Sequence, residues 1–182
     1  MSEPSEIREQ FVILLLGVTD RPVPTIRHVQ KELFILSKIQ PKIQELFQFE
    51  KHYEGPYSPL LQEAVREPLH YDRAYQVSSN DALILLPKGR TIFDDLMQQY
   101  DNASNFKQIM DSLRLIRTIY DKLSKEELLF LIYVTYPEFI EFSNVYDNLV
   151  KNELKRQQIL SNLLRKGLIT KDRYEELRKN DS

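Results

Sequence analysis

The most informative segment of this sequence is His52-Tyr53-Glu54-Gly55-Pro56-Tyr57-Ser58. Its Gly55-Pro56 pair is a turn signal, because glycine adopts backbone angles closed to other residues and proline fixes its own φ angle. Ser58 and the following Pro59 are typical of a helix start, with serine as the N-cap and proline as the first helical residue. The segment therefore predicts a turn that leads directly into a helix.

Two helices are predicted upstream of this segment. The first covers residues 5–17, and its apolar run at residues 11–16 indicates a helix that is buried on nearly all sides. Two prolines within residues 20–24 then interrupt the chain. The second helix covers residues 25–39 and begins at a threonine, which is a good N-cap.

A β-hairpin and a further helix are predicted downstream. Apolar runs at residues 75–77 and 82–86 flank Ser78-Ser79-Asn80-Asp81, a cluster of turn-forming residues. Residues 87–100 then have the pattern of a helix. The order of three helices, a hairpin and a helix is that of a winged-helix domain. We therefore expect a mainly α protein with one small β-hairpin and a winged-helix-like N-terminal domain.

A domain boundary is predicted at the polar run Asp101-Asn102-Ala103-Ser104-Asn105. It separates a winged-helix-like domain at residues 1–101 from a helical extension at residues 102–182. In the extension, apolar residues recur at helical spacing over residues 106–120. Ser124-Lys125-Glu126-Glu127 has the capping-box pattern that opens a helix.

The helices of the extension are expected to take part in association. Two further helices are predicted at residues 138–149 and 150–166. An amphipathic helix must bury its apolar stripe against another surface. Residues 106–120 and 149–164 are therefore predicted association surfaces, and we expect a homo-oligomer formed through the C-terminal helices.

Three sequence elements, taken in order, resemble one family of proteins. They are Lys31-Glu32-Leu33-Phe34, the Gly-Pro-Tyr-Ser element within residues 49–61, and Leu85-Leu86-Pro87-Lys88-Gly89-Arg90 after the predicted hairpin. Together they make residues 1–100 similar to the YwgA-like and Panacea (SocA-type) proteins. The resemblance implies a winged-helix-like fold and a non-enzymatic antitoxin or adaptor that acts through protein contact. Residues 159–179 resemble short C-terminal helical hairpins that serve in oligomerisation or interaction.

Composition excludes several kinds of site. The 182 residues include no cysteine, so disulfides, zinc–thiolate sites and cysteine nucleophiles are absent. A net charge of −2 argues against a dedicated nucleic-acid binder, which carries a basic excess. The charged and polar residues 1–10 do not have the pattern of a signal peptide. The apolar runs are shorter than the roughly 20 residues that span a bilayer, so we expect a cytoplasmic protein without membrane contact.

No catalytic, metal or cofactor site is predicted. His52 with Glu54, or His70 with Asp72, could each supply two metal ligands, but neither pair has the third ligand that a site needs at usual spacing. Lys88-Gly89-Arg90-Thr91 lacks the full phosphate-loop pattern, and no Gly-x-Ser-x-Gly elbow occurs. We therefore expect a protein that is not an enzyme.

The candidate partner-binding residues are Tyr53, Tyr57 and Phe34. Tyrosines beside a rigid turn often anchor interfaces, because they combine a large apolar ring with a polar tip. The alternative is that one or both tyrosines pack the turn onto the second helix. The first functional hypothesis is a protein-interaction module whose partner is another protein.

The candidate nucleic-acid residues are Arg27, Lys31, Lys38, Lys88 and Arg90. The first three share one face of the second helix and could follow phosphates. The alternative for this stripe is a solvated helix face. The second functional hypothesis is a winged-helix transcriptional regulator, with the helix of residues 25–39 in the DNA major groove and the hairpin against the backbone.

Overall fold

The computed structural model describes residues 3–179 and is mainly helical, with two small antiparallel sheets of two strands each. The helices are α1 (Pro4–Gly17), α2 (Ile26–Ile39), α3 (Pro41–Phe47), α4 (Pro59–Arg66), α5 (Pro87–Gln99), α6 (Ser104–Tyr120), α7 (Lys125–Thr135), α8 (Glu153–Arg165) and α9 (Lys171–Lys179). The strands are β1 (Glu50–His52), β2 (Gly55–Tyr57), β3 (Tyr75–Val77) and β4 (Leu83–Leu85). The mainly helical prediction is confirmed.

The structure has a second hairpin, β1–β2, in addition to the predicted β3–β4. The sequence predicts a turn at Gly55-Pro56 but no strands around it. The reason is that Glu50-Lys51-His52 is charged and only three residues long, so it carries no alternating apolar pattern. In the predicted hairpin, Tyr75 pairs with Leu85 and Val77 pairs with Leu83.

The described chain divides into two compact units. The first contains the residues up to Glu50 together with Tyr57–Lys122. The second contains Lys51–Pro56 together with the residues from Leu123 onward. This division differs from the predicted boundary after residue 101, because α6 packs against α2 and α1 within the first unit.

The core of the first unit forms around α1 and α2. The run of residues 12–16 in α1 is buried, as its apolar composition predicts, and α1 packs against α4, α5 and α6. Val23 makes an isolated antiparallel bridge to Leu83, which attaches the β3–β4 hairpin to the segment before α2. On α6, Met110, Leu113 and Ile116 are buried. Of the apolar stripe predicted to associate with another chain, Leu113 and Ile116 are therefore buried within this one, whereas Phe106, Ile109 and Tyr120 are half-buried.

The second unit is built on α7, α8 and α9. The predicted capping box is confirmed: Ser124 Oγ accepts from the Glu127 amide, and the Glu127 carboxylate accepts from the Ser124 amide. Ile159, Leu160 and Leu163 of α8 are buried, so most of the predicted tail association surface is also covered by the chain itself. The helix predicted over residues 138–149 is instead a 3-10 turn at Pro137–Phe139, a loop, and a π-helical turn at Asp147–Lys151.

Candidate interaction surface

Ser58 is buried, and hydrogen bonds from both its side chain and its backbone hold it in place. Its Oγ accepts from the Leu61 amide at 3.0 Å, which caps α4, and it also donates to the Phe47 carbonyl oxygen. The Gln30 side chain accepts from the Ser58 amide at 2.9 Å and donates to the Ser58 carbonyl oxygen at 3.0 Å. The predicted N-cap is confirmed, and it joins α2, α3 and α4 of the first unit. The role of Ser58 is therefore architectural.

Gly55 allows the β1–β2 turn to close. Its φ angle is +78°, a left-handed conformation that costs most other residues about 1–2 kcal/mol. The residue packs on α7, where an added Cβ would lie 3.5 Å from a Leu129 methyl group and 3.7 Å from the Tyr133 ring. These are ordinary contacts, so the backbone angle and not the available space is what requires glycine here.

Tyr53 lies at the tip of the same hairpin and is 61% exposed. Its ring contacts the His52 ring, with centroids 4.9 Å apart. Its carbonyl oxygen accepts a hydrogen bond from the Asn144 amide at 3.1 Å. The exposed ring thus projects from a backbone that is attached to a second segment of the same unit.

That second segment, residues 141–146, carries another exposed aromatic side chain, Phe142, which is 54% exposed. Glu141 forms an ion pair with Lys51 of β1. Ser143 Oγ donates to the Tyr133 hydroxyl at 2.7 Å and accepts from the amides of Val145 and Tyr146. Phe142 therefore sits between two residues whose positions are both defined by hydrogen bonds or charge. We call Tyr53 and Phe142 the aromatic pair.

Burial of Tyr133 and Tyr136 affects their acidity. Burial raises the pKa of the Tyr133 hydroxyl above its ordinary value, and the Ser143 hydrogen bond opposes this effect. Burial also raises the pKa of the Tyr136 hydroxyl, with a smaller contribution from Glu138. Both phenols stay protonated at neutral pH, so this part of the second unit presents hydroxyl groups and not phenolates.

The structure separates the predicted partner-binding residues. Tyr53 is exposed, Tyr57 is half-buried, and Phe34 is fully buried. Phe34 packs edge-on against the ring of Phe49, with centroids 5.5 Å apart, and Lys38 lies 5.0 Å from its centroid. Phe34 therefore belongs to the core, and among the three residues only Tyr53 offers a largely free ring to a partner.

The predicted nucleic-acid residues do not form one exposed basic patch, because Lys31 is only 2% exposed. Arg27 is half-buried and Lys38 is exposed on the same helix. On α5, Lys88 Nζ donates to the Asp72 carbonyl oxygen at 2.7 Å. Arg90 donates to the Gly17 carbonyl oxygen at 2.9 Å and pairs with Asp20 at 3.3 Å. The α5 cations thus hold neighbouring segments of the first unit together.

A buried charged cluster in the first unit has no signal in the sequence. Arg117 of α6 lies 2.9 Å from Asp121 and 3.8 Å from Glu32 of α2. Its guanidinium group also donates to the carbonyl oxygens of Leu15, Arg21 and Pro22. Phe142 is equally unmarked in sequence, because it lies in a stretch whose composition predicts a helix.

Across residues 3–179, no helix is long and apolar enough to cross a membrane. Within the same range, no three or more histidine, aspartate or glutamate side chains gather in a way that could hold a metal ion.

Comparison with known proteins yields no relative. No protein-family model matches this chain, and neither a curated protein nor a solved structure matches it. The resemblance to the YwgA-like and Panacea proteins therefore remains a prediction from the sequence elements that carry it.

Proposed function

We propose that this chain is a non-enzymatic, antitoxin-like or adaptor-like module that binds another protein through Tyr53 and Phe142. The observation that carries the proposal is that both side chains are more than half exposed, while a backbone hydrogen bond and an ion pair join the two segments that carry them. Aromatic side chains dominate the binding energy of protein interfaces, especially where they are central and desolvated on binding.

The contacts between the β1–β2 hairpin and residues 141–146 favour binding, because less conformational entropy is lost when a partner associates. A side chain or loop that must be ordered on binding costs about 0.5–1.5 kcal/mol. Three contacts hold the backbone around the aromatic pair in place before a partner binds. They are the hydrogen bond from the Asn144 amide to the Tyr53 carbonyl oxygen, the Lys51–Glu141 ion pair and the Ser143–Tyr133 hydrogen bond. The ion pair also leaves opposite charges beside the rings, which suits the polar rim of an interface.

We also propose that the first unit is a winged-helix domain with an insertion. In this interpretation α1, the Val23 bridge, α2, α4 and the β3–β4 hairpin follow the winged-helix order, and α3 is inserted, followed in the chain by the β1–β2 segment of the second unit. Support comes from the antiparallel bridge between Val23 and Leu83, which adds a third strand segment to the hairpin. The helix before the wing is then α4, and α2 is an inner helix.

This assignment favours protein over DNA as the partner. In a winged-helix DNA complex, the helix before the wing enters the major groove. The exposed residues at the end of α4 include Glu63, Arg66 and Glu67, and Arg66 pairs with Asp81 of the hairpin loop at 3.6 Å. Two carboxylates at this position repel the phosphate backbone on which DNA affinity depends.

The test is a comparison of captured proteins between matched variants. Tagged full-length protein is purified from its own host as wild type, as Tyr53→Ser with Phe142→Ser, and as Leu154→Ser. Leu154 lies on α8 of the same unit and is 82% exposed, so it controls for loss of an exposed apolar side chain. We expect one partner to be captured by wild type and Leu154→Ser, and to be at least tenfold depleted with the double variant, since hot-spot truncation costs about 2 kcal/mol or more.

Two outcomes would overturn the proposal. The first is that wild type and the double variant capture every protein equally, while their equal melting temperatures show that both are folded. The second is the absence of any captured protein together with salt-sensitive shifting of genomic DNA fragments at two salt concentrations. That second result would establish the winged-helix DNA-binding alternative, because counterion release makes DNA affinity fall with salt.

A further inference from the structure

A cavity of about 450 Å³ lies within the first unit, among α1, α5 and α6. Protein interiors are packed like organic crystals, and voids larger than a water molecule are few. Small-molecule sites, in contrast, measure roughly 300–1,000 Å³. The volume of this cavity therefore lies in the range of ligand sites and well above that of a packing defect.

The walls of the cavity are apolar or aromatic apart from Gln10. The lining side chains besides Gln10 are Ile7, Phe11, Leu14, Leu96, Tyr100 and Phe106. None of these carries a charge at neutral pH, so the cavity offers no counterion to a charged ligand. Burying an unpaired charge is unfavourable, so the site favours an uncharged molecule over an ionised one.

The lining residues differ in their exposure to solvent. Leu14 and Leu96 are almost completely buried, whereas Tyr100 is partly exposed. The rings of Tyr100 and Phe106 lie 5.2 Å apart at 38° to each other and form an aromatic wall. Aromatic rings prefer offset or tilted neighbours at such distances, so this wall suits a ligand that contains a ring.

Gln10 supplies one oriented polar group. Its Nε2 donates to the Tyr71 hydroxyl at 2.9 Å, and that hydroxyl donates to Glu6 at 3.0 Å. Tyr71 uses one of the two Nε2 hydrogens, so the Gln10 amide keeps a second N–H donor and a carbonyl acceptor. The site therefore suits a largely apolar molecule with one polar group that can bond to a primary amide.

We propose that this cavity binds an uncharged, ring-containing small molecule with a single polar group. A partner helix fits less well, because a helix about 10 Å wide occupies roughly 400 Å³ for each turn. The cavity would hold only one turn of such a helix. The proposal concerns the first unit and does not rest on protein binding through the aromatic pair.

The test uses a matched pair of fluorescent probes with the full-length protein. N-phenyl-1-naphthylamine is uncharged, has aromatic rings and one N–H donor, and gains fluorescence in apolar sites. 8-Anilino-1-naphthalenesulfonate has the same rings with an added sulfonate. We expect the uncharged probe to bind at one saturable site, with an affinity at least tenfold above that of the sulfonate.

Two variants locate the binding. Ile7→Trp fills the cavity from a half-buried wall position and is expected to reduce probe affinity at least tenfold. Leu115→Trp adds the same ring on the exposed face of α6, outside the lining, and is expected to bind like wild type. If Ile7→Trp does not fold, Tyr100→Ala removes an aromatic wall at a partly exposed position and should weaken binding at least fivefold.

Several results would overturn this proposal. They are equal affinity for the two probes, binding without saturation, and unchanged affinity in whichever of Ile7→Trp and Tyr100→Ala is folded. Binding that is lost equally in Leu115→Trp would also overturn it, because the probe would then report a change elsewhere in the unit. Loss of the protein partner by the Tyr53 and Phe142 variants leaves these measurements unaffected, so the two proposals fail independently.

Discussion

Arg117 Nε lies 3.8 Å from Glu32 Oε2, and neither side chain is exposed to solvent. Asp121 lies in the same buried cluster, 2.9 Å from the guanidinium group, so one arginine faces two carboxyl groups. Arg117 also supplies donors to three backbone carbonyl groups of α1 and the segment after it. This single side chain therefore links α6 to α1 and α2.

We predict that Arg117→Met destabilises the protein by about 3–5 kcal/mol, because it removes the ion-pair partner of the buried Asp121 carboxylate and the donor to three backbone carbonyl groups. Urea unfolding at pH 7 measures the change. Arg114→Met is the matched control, since Arg114 is exposed on the same helix and pairs only with Asp111 three residues away. Its free energy of unfolding should change by less than about 0.5 kcal/mol. Equal effects of the two substitutions would contradict the role of burial.

We predict that Glu32 makes the protein less stable as pH rises above about 5. Burial raises the pKa of Glu32 well above its ordinary value of 4.5, the charge of Asp121 raises it further, and Arg117 lowers it. The folded state then keeps a proton that the unfolded state releases. Stability is therefore highest below the ordinary pKa and is lost as pH rises toward the raised folded value.

Glu32→Gln provides the measurement for this pH dependence. The amide cannot ionise, so the variant should lack the part of the pH slope that Glu32 contributes. Urea unfolding of both proteins at pH 5, 6, 7 and 8 should show the stability of the variant relative to wild type increasing with pH. Parallel pH profiles for the two proteins would show that Glu32 does not titrate differently in the folded state.

We predict that Ser58→Ala destabilises the protein by about 1–3 kcal/mol, because it removes the α4 N-cap and leaves the buried Leu61 amide and Phe47 carbonyl without this hydroxyl. Thermal unfolding measures the loss. Ser112→Ala is the control, since the Ser112 hydroxyl only bonds the Gln108 carbonyl oxygen at an exposed position on α6. A melting temperature that falls equally in both variants would argue against the architectural role of Ser58.

We predict that Gly89→Ala is more damaging than Gly167→Ala. A Cβ on Gly89 would lie 2.0 Å from the Ala74 carbonyl oxygen, so α5 would have to move away from the hairpin, at about 2–3 kcal/mol. Gly167 has a φ angle of +69° and no neighbour within 4 Å of an added Cβ, so its substitution costs about 1 kcal/mol of backbone strain. The urea unfolding midpoints of the two variants test this order. A larger loss of stability in Gly167→Ala than in Gly89→Ala would contradict it.

The sequence-based predictions are correct where the structure depends on residues only a few positions apart in the chain. Thr25 accepts from the His28 amide, Ser58 from the Leu61 amide, and Ser124 from the Glu127 amide, each three residues on. The β3–β4 hairpin forms around the predicted turn for the same reason. The helix prediction is wrong at residues 138–149, where Phe142 lies in a loop that is held by Lys51 and Tyr53, which are distant in the sequence.

Only part of the candidate interaction surface could be predicted from the sequence. Tyr53 could be selected because it flanks a glycine–proline turn, which is visible in the sequence. The sequence does not predict three other features, which are the exposure of Phe142, the burial of Lys31 and Phe34, and the inclusion of α6 in the first unit. Helical periodicity identifies an apolar or a basic face, but it does not say what covers that face.

From its amino-acid order alone, this chain acquires its helix starts, its main hairpin and its predominantly helical class, since these depend on residues a few positions apart. Only tertiary packing determines that Arg117 meets Glu32 and that the backbone of Tyr53 is joined to the segment bearing Phe142. Those pairs are separated by about 85 to 90 residues. Their contacts depend on how the elements pack within each unit, a long-range outcome that no local pattern encodes.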